Sequence, residues 1–409
     1  MSEGSPGFGG GLLAGAVLAV LALVLFQPLR EGLLPGDSPE QLSAVEQAIE
    51  EIETSYFEDP DDELYDDASI AGIIEALSKE YDDKFSHYFD PEIYQDFLTS
   101  SSGQFEGVGM LVAEIKKGLR VTQVYDDAPA DRGGIEAGDI VIAVDGRSIA
   151  GLSSKASTTR IKGEPGTDVT LTIIDGADKK EREVELERAE VRIPAAAGRL
   201  LETDGEKIAY VALFAFSNGA HGELRSEIER LAEKGAAGLI LDLRGNGGGL
   251  LEEAVLVSSL FVEEGPIVTT EGRVRGSETI EAVGGALAER PMAVLVNGDT
   301  ASASEIVTAA LEENDIATVI GEKTFGKGTV QEVIELDNGG ALDITIAEYL
   351  TGEGTAINGV GIKPDIKVVE GDLSDGAPAG ADDRPVDEVL ERAREEIAAE
   401  ISAGSTDEP

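Results

Sequence analysis

The sequence predicts a multidomain α/β protein, and three observations support this prediction. Its 409 residues are more than one compact core normally holds. In residues 191–369, short apolar runs typical of buried strands alternate with segments of helical periodicity. Residues 104–190 instead contain apolar runs separated by glycine turns, which is typical of a small domain rich in β-structure.

The amino-terminal segment, residues 7–28, predicts a transmembrane helix. No charged residue occurs from Gly7 to Phe26, and the run is apolar enough to span a bilayer. A cleaved signal peptide is the alternative, but residues 1–10 contain Glu3 and neither Lys nor Arg, and the apolar run ends without a small-x-small site. We therefore expect an uncleaved anchor.

Residues 38–103 predict a helical region that forms a cap. Apolar side chains recur there at helical spacing, at Leu42, Val45, Ile49, Ile52 and Tyr56. The segments Ser69–Leu77 and Pro91–Leu98 have the composition of further helices.

The segment 104–190 predicts a sheet with one helix. Phe105–Val112 is a glycine turn that enters an apolar strand, and Gly138–Gly146 contains a strand and a tight turn. Val169–Ile174 is rich in β-branched residues and predicts another strand. Ser154–Ile161 predicts the helix.

The segment 191–369 predicts the α/β core, in which Ser302 has a special position. Met292–Asn297 is a buried strand that ends in a polar turn, and Ser304–Leu311 has helical spacing. Ser302 therefore lies where a strand turns into a helix. The unpaired backbone N–H groups at a helix start can stabilise an oxyanion.

A serine hydroxyl needs a base to become a good nucleophile, and the usual base is histidine. The chain has two histidines, His87 and His221, and neither lies in a recognisable triad motif. Lys327 can replace histidine if burial lowers its pKa. For Ser302 or Lys327 alone, a helix-capping serine and a solvated lysine remain the alternatives.

The surroundings of Lys327 favour the catalytic interpretation. Gly326 and Gly328 let the backbone pass close to another element, and Gln331 lies where it could orient the lysine or a substrate carbonyl.

Three blocks together resemble the carboxyl-terminal processing peptidases, or tail-specific proteases: Thr300–Ile306, Phe325–Gln331 and the strand with a glycine turn at Leu241–Gly249. The resemblance implies that Ser302 is the nucleophile, Lys327 the general base and Gln331 the third member of the site. It also implies that the backbone N–H groups of Gly248 and Ala303 form the oxyanion hole, on a crotonase-like ββα core.

The order of elements in residues 104–190 resembles a PDZ domain, which these peptidases carry ahead of the catalytic core. The resemblance implies a carboxylate-binding loop at Gly107, Val108, Gly109 and Met110. In such a domain an extended peptide adds a strand to a sheet edge, so the expected partners are protein substrates with free apolar carboxyl ends. A purely structural role in the core is the alternative for each of these side chains.

The carboxyl-terminal part predicts a flexible linker at 370–384 and a helix at 385–402. One face of that helix is apolar, with Val386, Leu390, Ala393, Ile397 and Ile401. This face would either pack on the catalytic domain or pair with another copy of the chain, which leaves a homodimer open.

Composition excludes several other classes of function. With 81 acidic and 32 basic residues, the net charge of −49 argues against binding to nucleic acids. The absence of Cys excludes disulfides and a thiolate nucleophile, and only two His disfavour a typical zinc site. We expect no metal and no cofactor.

The sequence therefore predicts a membrane-anchored serine endopeptidase that cleaves proteins near their carboxyl end. The apolar run at the amino terminus predicts a single span in the cell membrane, and the resemblance implies that the catalytic body lies outside the cytoplasm. A catalytically silent PDZ scaffold and acyl-thioester chemistry on a crotonase-like core are the alternatives.

Overall fold

The computed structural model describes residues 47–49, 52, 62–369 and 387–404. These residues form two compact units. One comprises the described residues up to Leu98 and from Ala195 onward, and the other spans Thr99–Pro194. The predicted anchor at 7–28, the predicted linker at 370–384 and most of the first predicted helix lie outside the described residues.

In the described part of the chain, no helix combines the length and the hydropathy needed to cross a bilayer.

The described amino-terminal region consists of α1 (Asp62–Tyr81), β1 (His87–Phe89) and α2 (Pro91–Ser102). Both helices are longer than the sequence predicted. Phe97 stacks on Phe89 with ring centroids 5.2 Å apart, and the aromatic cluster covers the buried Ala341. This contact fixes β1 and α2 to the larger unit.

The elements of the smaller unit are, in chain order, β2 (Gln104–Gly107), β3 (Met110–Ile115), β4 (Gly118–Val124), α3 (Pro129–Arg132), β5 (Ile140–Val144), β6 (Arg147–Ser148), α4 (Ser154–Ile161), β7 (Asp168–Ile174), β8 (Glu181–Glu187) and β9 (Ala189–Arg192). The main sheet is antiparallel with the order β3-β4-β5-β7-β8, β6 pairs with β5, and β2 pairs with β9. The predicted helix at Ser154–Ile161 is α4. Its Ile161 joins the core of the unit with Leu119, Leu171 and Ile173, which are fully buried.

The larger unit continues, in chain order, with β10 (Ala196–Thr203), β11 (Glu206–Leu213), α5 (Ala220–Glu233), β12 (Gly238–Asp242), α6 (Leu251–Ser258), β13 (Pro266–Gly272), β14 (Gly276–Glu281), β15 (Met292–Val296), α7 (Ala303–Glu313), β16 (Thr318–Gly321), β17 (Thr329–Glu335), β18 (Ala341–Thr351), β19 (Ile366–Lys367) and α8 (Glu388–Gly404). Six strands form a sheet in the order β10-β11-β12-β15-β16-β19, which is parallel except for the pair of β10 with β11. A second, antiparallel sheet has the order β1-β18-β13-β14, and β17 also pairs with β18.

The central parallel strands β12 and β15 are buried at every position because elements cover both faces, and none of their residues except Asp242 is polar. In β12, Leu239 and Leu241 join the core that includes α5, α6 and α7, whereas Ile240 joins the core on the other face. This explains why these strands appear in the sequence as continuous apolar runs without alternation.

The helix α8 covers that other face. Leu390, Ala393 and Ile397 are buried against the strands, as one of the two sequence interpretations required. The apolar face is therefore used within the chain, so the helix gives no support to a homodimer.

Candidate active site

Ser302 lies at a sharp turn between β15 and α7, as the sequence predicted. Its backbone has φ 58° and ψ −118°, a region that side-chain-bearing residues rarely adopt and that the surroundings must enforce. The residue is 1% exposed, and its Oγ has no hydrogen-bond partner among the described residues. The turn thus determines the backbone conformation of Ser302, and the buried hydroxyl is not engaged in a hydrogen bond with the described residues.

Glu305 holds this turn, and sequence reasoning did not select it. The side chain is fully buried, and Oε2 accepts a hydrogen bond from the backbone N–H of Ser302 at 2.9 Å. The Ser-x-x-Glu spacing of a capping box was the sequence signal that could have identified it.

The same carboxylate binds the loop that carries Lys327. Oε2 accepts the backbone N–H of Lys327 at 2.9 Å, and Oε1 accepts that of Gly326 at 2.8 Å and the hydroxyl of Thr324. Burial raises the pKa of Glu305, and these hydrogen bonds oppose the rise. One buried side chain therefore connects the loop of the lysine to the turn of the serine.

Lys327 is partly buried in a loop between β16 and β17. A Cβ on Gly328 would lie 2.2 Å from the backbone N of Asn358, so the predicted close backbone approach is present. The Nζ atom lies 4.9 Å from the centroid of the Phe85 ring. Burial lowers the pKa of Lys327, and the carboxylate of Asp343 partly opposes this shift.

Gln331 is on β17 and is 1% exposed. Its Nε2 donates to Oγ1 of Thr329 at 2.8 Å and to Oγ1 of Thr345 at 3.1 Å. Its Oε1 is buried and has no hydrogen-bond partner among the described residues. A buried acceptor without a partner is costly, so it marks a place where a donor is expected during function.

The segment Asp83–Phe89 also reaches this site, which the sequence did not predict. Phe85 covers Nζ of Lys327, and His87 pairs with Asp343 of β18. Partial burial and the charge of Lys327 lower the pKa of His87, whereas Asp83 raises it. Burial raises the pKa of Asp343 to about 7, since the nearby Asp83 adds to the effect and Lys327 only partly offsets it.

The second histidine, His221, makes its contacts away from Ser302 and Lys327. His221 is at the start of α5, where its Nδ1 lies 2.9 Å from Oε2 of the buried Glu253.

The glycine turn after β12 lies against the turn of Ser302. Gly248 has φ 103°, and a Cβ on it would lie 2.9 Å from the backbone N of Ala303. The structure thus brings Gly248 and Ala303 together. In this state the N–H of Gly248 donates to Oδ1 of Asn246 at 2.9 Å, and Nδ2 of Asn246 donates to the carbonyl of Leu213 at 2.8 Å.

In the smaller unit, the four residues predicted to bind a carboxylate line one groove of about 60 Å³. Gly109 has φ 81°, and Val108 and Met110 are 2% and 9% exposed. The opposite wall includes Thr158 and Ile161 of α4, which the sequence could not assign. The groove lies between β3 and α4.

Comparisons with known proteins agree with these observations. The model of the peptidase family S41 matches residues 207–368, and that of the PDZ domain matches residues 107–186. The chain is 34% identical to the carboxy-terminal-processing protease of Bartonella bacilliformis, over 87% of this chain and 81% of that protein. It is 35% identical to the carboxy-terminal processing protease CtpA of Bacillus subtilis, over 81% and 69% of the two chains.

Among solved structures, a putative S41 protease from Bacteroides fragilis superposes with a TM-score of 0.51 at 19% identity, covering 82% of this chain and 90% of that one. At this identity the similarity shows the fold alone.

Proposed function

The chain belongs to peptidase family S41 and is a serine-type peptidase related to carboxy-terminal processing proteases, and we propose that Ser302, Lys327 and Gln331 carry out its chemistry. One observation carries the assignment. A buried hydroxyl with no hydrogen-bond partner in the described part of the chain lies at a strained turn, and Glu305 connects that turn to the loop of a lysine whose pKa is lowered by burial.

In the proposed reaction, the neutral amine of Lys327 takes the proton of Ser302 as the hydroxyl attacks the scissile carbonyl. The negative charge on the carbonyl oxygen is stabilised by the backbone N–H groups of Gly248 and Ala303. For this step the N–H of Gly248 has to leave Oδ1 of Asn246 or be shared with it. Gln331 offers its free Oε1 to the Lys327 ammonium.

The ammonium of Lys327 then returns the proton to the leaving amine, which releases the carboxyl-terminal product. The acyl group remains on Ser302. Lys327 next takes a proton from water as the water oxygen attacks the acyl carbon. The bond from that carbon to Oγ of Ser302 then breaks, the second product leaves, and the Lys327 ammonium returns its proton to Oγ, which restores the neutral amine and the serine hydroxyl.

We assign substrate capture to the groove of the smaller unit. The backbone of Gly107–Met110 would bind the terminal carboxylate, while the peptide adds a strand beside β3. The volume of about 60 Å³ and the side chains of Val112 and Ile161 suit a small apolar residue at the chain end. The substrates would therefore be proteins with free apolar carboxyl ends.

The proposal includes an anchor at residues 7–28, a single membrane span and a catalytic body outside the cytoplasm, because of the uncharged apolar run at Gly7–Phe26. We also assign the core to the crotonase-like ββα type. A silent scaffold is disfavoured, since Ser302, Lys327 and Gln331 are all present.

The test uses the full chain in detergent with an unfolded protein that ends in an apolar tail. The same protein with an amidated tail is the comparison, and cleavage is followed by mass spectrometry. We expect cleavage that depends on the free tail and is lost in Ser302→Ala and Lys327→Ala. Unchanged cleavage by either variant would refute the catalytic assignment, and tail binding without cleavage by the wild type would favour the scaffold.

A further inference from the structure

A chain of hydrogen bonds connects Gln331 to a carboxylate near the amino terminus. Nε2 of Gln331 donates to Oγ1 of Thr345 at 3.1 Å, and Oγ1 of Thr345 donates to Oδ1 of Asp83 at 3.2 Å. Thr345 lies directly opposite Gln331 in the ladder of β17 and β18. The first link of this connection therefore joins two paired strands, and the second joins β18 to the turn before β1.

The turn at Asp83 is itself well held. Oδ1 of Asp83 accepts the backbone N–H groups of Phe85 at 2.9 Å and Ser86 at 3.2 Å, and the hydroxyl of Ser86 donates to Oδ2. Oγ of Ser86 in turn accepts the backbone N–H of Thr345 at 3.0 Å. The turn is thus hydrogen-bonded to β18 at Thr345, the residue that also accepts a hydrogen bond from Gln331.

The chemistry of these groups fixes the direction of each hydrogen bond. An ionised carboxylate only accepts, and a hydroxyl has a single proton. Burial raises the pKa of Asp83, but hydrogen bonds from Ser86, Phe85 and Thr345 outweigh it, so the net pKa is below the ordinary value. Because Thr345 gives its proton to Asp83, it can only accept from Gln331. The amide of Gln331 must then present Nε2 to Thr345.

We propose that Asp83 and Thr345 are positioning residues for the reaction, which hold the amide of Gln331 so that Oε1 stays available to accept a hydrogen bond from the Lys327 ammonium. The inference rests on the proposed function and adds residues to the same site. Without Asp83, the hydroxyl of Thr345 could donate to Oε1, and the amide could turn its N–H groups toward the lysine. An amide N–H repels an ammonium, so the wrong orientation would weaken proton transfer.

The charged groups around Lys327 limit how the effect can be measured. Asp343 lies on β18, and His87 and Asp83 lie on the segment with β1. All three titrate or carry charge in both the wild type and a variant at Thr345. Thr345→Val also removes a hydrogen bond that helps to lower the pKa of Asp83, so a change in the pH profile reports on the orientation of Gln331 only if it is absent in a Gln331→Ala background.

The decisive variants are Thr345→Val, which removes only the hydroxyl, and Thr345→Ser, which keeps it. Both retain the backbone bond to Ser86. We expect Thr345→Val to lower kcat at least about 10-fold with little change in KM, and to move the acid limb of kcat/KM to lower pH, since loss of an acceptor disfavours the ammonium. Thr345→Ser should stay within about 3-fold of the wild type.

A double-mutant cycle with Gln331→Ala separates positioning from a structural effect. If Thr345 acts through Gln331, Thr345→Val should cause little further loss of kcat and no further shift of the pH limb in the Gln331→Ala background. Additive losses would overturn the inference. If Thr345→Val does not fold, Thr345→Ala takes its place, because it also removes the hydroxyl, changes no charge and keeps the backbone bond to Ser86.

Failure of the inference is distinct from failure of the proposed function. If the wild type cleaves and Ser302→Ala does not, while Thr345→Val keeps the wild-type kcat and pH limb, only the inference is overturned. If the wild type does not cleave either, the proposed function itself fails.

Discussion

Glu305 accepts a hydrogen bond from the backbone N–H of Lys327 at 2.9 Å, across 22 residues of chain. The same carboxylate oxygen binds the backbone N–H of Ser302. The relative position of the two proposed catalytic residues therefore depends on a buried side chain that takes no part in proton transfer.

We expect Glu305→Gln to destabilise the fold and to lower activity. The amide has one acceptor oxygen and places an N–H₂ group against donors, so about 1–3 kcal/mol of unfolding free energy should be lost. Urea unfolding and kcat measure the two effects. Glu312→Gln, on the same helix, is the matched control, and equal behaviour of both variants would contradict this role.

Lys327→Arg should lower kcat strongly even though arginine is also a long basic side chain. Arginine is not deprotonated in proteins and cannot accept the serine proton, so the loss of general-base catalysis should cost about 10²–10⁴-fold in kcat. Lys327→Met should have a similar effect. The exposed Lys323 in the same loop provides the control variant Lys323→Met, which should retain activity. Substantial cleavage by Lys327→Arg would argue against a lysine base.

Asp343→Asn should move the acid limb of kcat/KM to lower pH. The Asp343 carboxylate raises the pKa of Lys327, against the lowering caused by burial, so its removal lowers that pKa further. More of the lysine is then neutral at a given pH. Asp343 itself has a pKa of about 7, so the wild-type profile should show its titration near neutrality and the variant should not. The measurement is kcat/KM between about pH 5 and pH 10. Asp337→Asn, at an exposed position, is the control. An acid limb that stays in place or moves to higher pH would contradict the prediction.

Gly248→Ala should reduce kcat far more than Gly247→Ala. A Cβ on Gly248 would lie within 3 Å of the carbonyl of Ala301 and the backbone N of Ala303, and φ 103° disfavours any side chain. A Cβ on Gly247 meets no atom within 4 Å. If the N–H of Gly248 stabilises the oxyanion, its displacement should cost about 10²–10³-fold in kcat. Equal losses from the two neighbouring substitutions would count against this oxyanion hole.

Arg244→Ala should destabilise the larger unit. The guanidinium bridges Asp242 at 2.7 Å and Asp387 at 2.8 Å, and the side chain of Asp242 is only 8% exposed. Removal of Arg244 leaves a buried carboxylate without its cation, at a cost of about 3–5 kcal/mol. Asp387→Ala should cost about 1 kcal/mol or less, because that side chain is 37% exposed. Denaturant unfolding measures the free energy of unfolding of both variants, and equal losses in the two would refute this order.

Much of the core architecture could be predicted because its signals are local. The apolar run of Met292–Asn297 followed by the helical spacing of Ser304–Leu311 placed Ser302 at the start of a helix, where the structure has it. The glycines beside Lys327 indicated a close backbone approach, which the structure shows. In contrast, α1 and α2 extend beyond the predicted segments, since helix ends depend on contacts that periodicity does not report.

The sequence by itself determined which residues we propose for the chemistry, from the residue types and spacing around Ser302, Lys327 and Gln331. It also determined the order of the strands and helices that carry them. Only the tertiary structure decided what surrounds those groups. The hydrogen bond between Thr345 and Asp83 joins residues 262 positions apart, and the ring of Phe85, from the same amino-terminal segment as Asp83, covers Lys327. Contacts of this kind form because β1 pairs with β18 at the end of the second sheet. Such contacts produce no periodic pattern in the sequence, because a hydrogen bond between two distant residues restricts those two residues and not their sequence neighbours.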